Sequence, residues 1–256
     1  MLRTPGGDRL RFLIERSRIN HVTPSTSTVP HRRRPAGRPA VRRQTRSDRT
    51  RRRIVDAALV EFADHGFDGA TTRAIAERAG VAQPLVHYHF GSKDDLWRAA
   101  VDRCFEELDH HLAPVAATTE PLEALRTMLR CFVTFAAATP QLNRIVAQEG
   151  STASDRLTWL VGTHTEPRYR AFAQLLAAVD PEDVVTTDPS VAFHTVVGAA
   201  SLRYVASAEV VRMTGTPADD PDAVRAHAEL IERMVLRHPD PNRPAPPARS
   251  TRRTRP

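Results

Sequence analysis

Residues 71–90, TTRAIAERAGVAQPLVHYHF, read as two short helices joined by a glycine turn, and they decide the fold. Thr71 carries a hydroxyl that can accept from the open N–H groups of a first helical turn, so it stands as an N-cap. Ile75 and Ala79, four apart, share the inner face of that helix, and Gly80 supplies the left-handed residue that ends it. The second helix spans Gln83 to Phe90, with Pro84 tolerated in a first turn whose N–H groups have no helical partner. Val81, Leu85 or Val86, and Phe90 can face inward, which leaves Gln83, His87, Tyr88 and His89 outside. Helix, tight turn and a second helix with an exposed polar face is the arrangement of a helix-turn-helix, which lays its second helix in the major groove of DNA, although such a segment also occurs in proteins that never touch DNA.

Outward from this stretch the apolar period stays helical, with repeats of three and four and hardly any alternation. A first helix is predicted from Asp48 to His65, with the stripe Ile54, Val55, Ala58, Leu59 and Phe62 and a stop at Gly66. Ser92-Lys93-Asp94-Asp95 reads as a capping box that opens a long helix buried along Leu96, Trp97, Ala100, Val101, Cys104, Phe105, Leu108 and Leu112. Further helices are predicted near 121–138, 141–149, 154–179 with a kink at Pro167, 189–213 and 221–237. The small residues Gly198, Ala199, Ala200 and Ser201 sit at the centre of one broad apolar face and suit close helix approach. The predicted class is therefore all-α: a small N-terminal module of three helices, then a larger helical body.

The formal net charge of +7 hides an asymmetry. Residues 1–53 hold sixteen Lys and Arg against three Asp and Glu, a net of +13, and residues 237–256 hold six against one, a net of +5. Residues 54–236, with fifteen against twenty-six, are left at −11. Low apolar content predicts that 1–46 is a disordered Arg-rich arm and 238–256 a disordered, basic, Pro-rich tail. Between them the predicted division is 47–95 for the DNA-binding module and 96–237 for the body. Basic tails of this kind attract polyanions, although a solvated flank has the same composition. Within 54–98 only Arg73, Arg78, Lys93 and Arg98 face seven carboxylates, so phosphate attraction must come from Arg49, Arg51, Arg52 and Arg53 and the arm before them.

Composition also excludes. Cys104 and Cys131 lack any close-spaced Cys/His pattern, so neither a disulfide framework nor a zinc site is predicted. No membrane span or signal peptide is discernible, and a cytoplasmic location is expected. His87 and His89 lie two apart on a helix and diverge, which argues against metal. No Ser/His/Asp spacing, phosphate-cradling glycine loop or paired carboxylates appears; neither catalytic residues nor a cofactor are expected.

Thr50 to Val101 resembles the N-terminal domain of the TetR family of bacterial transcriptional regulators. The resemblance rests on Phe62 and Gly66 of the first helix, Thr71-Thr72-Arg73, Ala79-Gly80-Val81, and Tyr88-His89-Phe90-Gly91-Ser92-Lys93. It implies a three-helix DNA-binding domain on a helical effector-binding and dimerisation domain. It also implies a homodimer, a double-stranded palindromic operator, and release by an unidentified small-molecule effector. By the same resemblance Arg73 and Gln83 read bases, and their forked donors and acceptors suit guanine and adenine. Pro84 meets a thymine methyl, and Thr72, Tyr88 and Lys93 fall at phosphates or adjacent base edges. His87 stands where the family usually has a phosphate-binding Tyr, and Ala82 where many members have a capping Ser. His89 and, from charge, Arg51 and Arg52 complete the expected DNA-contact set. For the effector, the aromatic and polar mix points to Met128, Phe132, Phe135, Trp159, His164, Tyr169, Phe172, His194 and Tyr204. Each of these also reads as ordinary core or interface.

Overall fold

The structure, a computed structural model, describes residues 39–237 and the side chains of residues 46–237. Three helices and the start of a fourth make the head: α1 (Pro39–Gly69), α2 (Thr72–Ala79), α3 (Gln83–Phe90) and α4 (Lys93–Leu112). The body follows as α5 (Pro121–Ala138), α6 (Pro140–Gly150), α7 (Asp155–Leu160), α8 (Glu166–Ala178), α9 (Pro189–Val205), α10 (Ser207–Thr214) and α11 (Pro221–Val235). No strand occurs among the described residues, only an isolated bridge between Val184 and Leu236. The fold is all-α, as the periodicity predicts.

Three boundaries differ from the expected ones. Helix α1 starts at Pro39, so residues 39–46 of the expected disordered arm are helical; residues 1–38 and 238–256 lie outside the described residues. An apolar stripe marks only the part of a helix that packs, and extending an existing helix avoids the cost of nucleating one. Gly66, the expected stop, breaks α1 instead, at φ 69°, a conformation that costs a residue with a Cβ about 1 kcal/mol or more, and the helix resumes to Gly69. The expected kink at Pro167 takes the form of a π turn over Val161–Thr165. Pro167 has no N–H to give Thr163, and widening the turn before it accommodates the ring. The expected helix 189–213 is two helices, divided at Ala206.

Two apolar cores hold these elements. The first joins Ile54, Phe62, Ile75, Val86 and Phe90 to the whole buried face of α4, from Leu96 to Leu108, and to Phe135, Leu142, Ile145 and Leu160 of the body. The second lies between α5, α8, α9 and α11, around Leu125, Leu129, Val133, Phe172, Ala200, Tyr204 and Ile231. Leu112 and Phe132 pack against both. The apolar core thus runs straight through residue 95, because Ser92 begins a helix and does not end a packing unit; its hydroxyl accepts from the Asp95 N–H at 3.0 Å. Burial pushes the Cys104 thiol up to about 12, and both cysteines are free.

Polar contacts fix the body. Glu232, buried on α11, receives Arg126 and Arg130 of α5. His227 of the same helix lies 3.1 Å from the Ala199 carbonyl through Nε2, which must therefore carry the proton; Nδ1 then accepts from the Tyr204 hydroxyl at 3.0 Å. Burial lowers the His227 pKa from its ordinary 6.5; the Ala199 bond opposes this and the charge of Arg203 adds to it. A histidine held neutral in the fold contributes fully above about pH 6.5 and progressively less as pH falls below it, where the unfolded chain takes up the proton first. Between pH 7 and 5 the melting temperature is expected to fall more steeply in the parent than in His227→Gln. Parallel curves would mean that His227 does not set this dependence.

Candidate nucleic-acid interface

The helix-turn-helix is built by its caps. The Thr71 hydroxyl accepts from the Ala74 N–H at 3.1 Å, and Gly80 closes α2 at φ 61° while the Val81 N–H reaches the Ala76 carbonyl at 3.0 Å. Ala82, the N-cap of α3, offers no side-chain bond, so α3 is started by Pro84 and by backbone alone. Val86 and Phe90 are its buried residues, which settles the inward position in favour of Val86; Leu85 is 40% exposed. A helix held by so few apolar side chains leaves most of its circumference open.

That open surface carries most of the expected contact residues. Arg73, Gln83, Pro84, His87 and Tyr88 are exposed, Tyr88 by 80%. Gln83 Nε2 donates to the Thr72 hydroxyl at 3.2 Å, which ties the two helices at their open edge. The second hydrogen on that nitrogen and the amide oxygen remain for a base, so a fork onto adenine needs no internal bond broken. Thr72 is half-buried. His89 is half-buried too, its ring between those of Tyr88 and Phe90, 5.2 and 6.3 Å away. Lys93 is turned toward the head itself: Nζ donates to the Asp68 carbonyl at 3.3 Å and stands 4.6 Å above the Phe67 ring.

The arginines of α1 divide. Arg52 is exposed, and Arg51 is exposed with its guanidinium 4.9 Å from the Phe90 ring centre. Arg53, expected at phosphates, instead donates to the carbonyl oxygens of Ala79 and Gly80. It satisfies the open C-terminal end of α2, where a cation is favoured. Arg78, a residue that sequence reasoning misses, bonds buried Glu61 at 2.7 Å and locks α2 to α1. No local pattern marks either role, since the partners lie 26 and 17 residues away.

The nine effector candidates do not gather in one site. Trp159 and His164 lie under the head: His164 stacks on Phe105 at 4.2 Å, bonds Asp102 at 2.8 Å and meets the Trp159 ring edge-on. Tyr169 and Phe172 surround Phe193. Met128, Phe132 and Phe135 lie along α5, with Phe135 fully buried; Tyr204 is core beside His227, and His194 is exposed. A groove of about 790 Å³ opens elsewhere, between α5 and α11, lined by Arg130, Thr134, Asp219, Val224, Arg225 and Glu229. Helical spacing says that a residue points inward; it does not say which inward residues meet. Among the described residues no group of three or more His, Cys, Asp or Glu is placed to hold a metal, and no helix is long and apolar enough to cross a membrane.

Comparison with known proteins places this geometry. Residues 54–100 match the bacterial regulatory proteins of the tetR family. The HTH-type transcriptional regulatory protein RaaS of Mycobacterium tuberculosis is 43% identical over 76 residues, 30% of this chain and 35% of that protein. The HTH-type transcriptional activator FasR of Mycolicibacterium smegmatis is 31% identical over 136 residues, 52% of this chain and 61% of that one. The chain therefore spans about a third to three fifths of the length of these curated relatives. Among solved structures, AibR in complex with isovaleryl coenzyme A and operator DNA shares the fold, with a TM-score of 0.60 at 15% identity over 73% of this chain and 98% of that one. The matched residues are those that build the packed part of α1, α2, α3 and the start of α4, and over them the chain is similar to the tetR family of bacterial regulatory proteins.

Proposed function

We propose that the protein is a sequence-specific, DNA-binding transcriptional regulator, a homodimeric repressor released from a palindromic operator by a small-molecule effector, acting in the cytoplasm without catalysis. The observation that carries this reading is α3 itself: a short helix seated on Val86 and Phe90 that presents Gln83, Pro84, His87 and Tyr88 beside Arg73. In this reading Arg73 and Gln83 take base edges, Pro84 a thymine methyl, and Thr72, His87, Tyr88, His89, Lys93, Arg51 and Arg52 the phosphates and adjacent edges. Residues 47–95 read DNA, and 96–237 bind the effector and pair. The exposed apolar residues Val191 and Leu202 of α9 and Leu230 and Met234 of α11 support the pairing. Gly198 is open on the same helix, whereas Ala200 and Ser201 are buried within the subunit. FasR, named an activator, shows that a relative can act in the opposite sense.

Selection of bound fragments from random DNA tests the reading, with an inverted repeat as the expected product. Recovery of no sequence preference, with affinity falling steeply in salt, would leave only a nonspecific basic binder. On the selected site Gln83→Ala is expected to cost about 1–3 kcal/mol, with random DNA bound less than twofold more weakly. Equal losses on both would remove Gln83 from the base readers. For the effector, ligands that raise the melting temperature are expected to weaken operator binding by about 1–3 kcal/mol of coupling. A screen in which every stabilising ligand leaves DNA affinity unchanged would overturn that half of the reading.

A further inference from the structure

Helix α1 continues well beyond the part that packs. Among the residues whose side chains are described, its first buried one is Ile54, and residues 46–53 hold none, yet the helix runs back to Pro39. Residues 39–53 make about four turns, or about 22 Å of helix. They contain seven arginines and one carboxylate, Asp48. Positions 42, 46, 49 and 53 recur at intervals of four, three and four, which on a helix of 3.6 residues per turn is a single stripe. Asp48 falls on another face. Arg53 fixes the direction of the stripe, because it donates to the carbonyls of Ala79 and Gly80, the turn that leads into Gln83 and Pro84. Arg46 and Arg49, both exposed, therefore stand on the side of α1 that continues from the reading end of α3.

From this alignment we infer that Arg46 and Arg49, with position 42 in the same helical register, form a second DNA-contact surface, a rigid basic stripe that lies along the phosphates flanking each half-site. From position 42 to position 49 it is about 10 Å long, roughly three base-pair steps. The inference rests on the proposed function and deepens it: a helix holds positions 42, 46 and 49 on one side, where a flexible arm offers its charges equally all round. Like charges three and four apart repel one another, so this helix is favoured most when phosphates lie along the stripe.

The test uses the full chain and duplexes carrying the selected site, either trimmed at the half-site edges or extended by six base pairs of random sequence at each end. The parent is expected to bind the extended duplex more tightly and with a steeper salt dependence. Arg46→Gln removes one cation from the stripe, and Arg43→Gln removes the same charge from another face of the same helix. Arg46→Gln is expected to shrink the difference between the duplexes and to flatten the salt slope by about 0.9, since one phosphate fewer is neutralised, while Arg43→Gln changes both much less. A parent that gains nothing from the flanks, or equal losses in the two variants, overturns the stripe. Should selection yield no sequence, the regulator reading fails while the stripe is still judged on random duplexes, where Arg46→Gln must again flatten the slope more than Arg43→Gln.

Discussion

Leu202→Glu combined with Leu230→Glu is expected to yield a folded monomer that binds the selected operator about 10²- to 10⁴-fold more weakly than the parent, the factor that separates bivalent from single-site attachment. The two side chains are 67% and 47% exposed, so the subunit loses little by carrying charge there. An interface that buries those carboxylates without partners does not form. Light scattering or sedimentation at micromolar concentration reads the mass, and circular dichroism reads the fold. A variant that stays dimeric would place the pairing surface elsewhere. A variant that is monomeric yet holds the operator as tightly as the parent would dismiss twofold reading altogether.

Trp97→Ala is expected to destabilise the protein by about 3–5 kcal/mol, a large share of the roughly 5–15 kcal/mol that a domain possesses. Trp97 is 1% exposed on α4 and meets Phe67 of α1 edge-on at 6.5 Å and Trp159 of α7 at 5.5 Å. It thus joins the first helix of the head to the body through one side chain. Urea unfolding followed by circular dichroism measures the loss. A change below about 1 kcal/mol would mean that the head is held mainly by other contacts, and Trp159→Phe, which keeps an aromatic ring against Trp97, is expected to cost far less.

The head was legible in the sequence because its information is local. Thr71, Gly80, Pro84 and Ser92 each act within four residues of themselves, through a cap, a left-handed turn or a fixed φ, and the structure uses each in that way. The stripe from Leu96 to Leu108 declares a buried helix wherever it docks. What the sequence could not supply is the identity of the neighbour. Arg53 and Lys93 look like free cations until tertiary contact brings them the carbonyls of Ala79, Gly80 and Asp68. Leu85 and Val86 are equal by composition, and the way α3 sits on α1 and α2 buries one of them.

The body shows the same division more sharply. Its apolar repeats determined that it is helical, since a three-and-four period can be buried only on a helix face. Tertiary packing alone decided that Trp159 and His164 belong under the head, that Phe172 belongs to a second core, and that Arg144 spans from Asp64 of α1 to the Val205 carbonyl of α9. These contacts join residues far apart in sequence, so they depend on how whole helices settle against one another. Backbone hydrogen bonds and caps are satisfied within a turn and can be read from the chain. Partners across a core are chosen by the volume and charge left after every other element has packed.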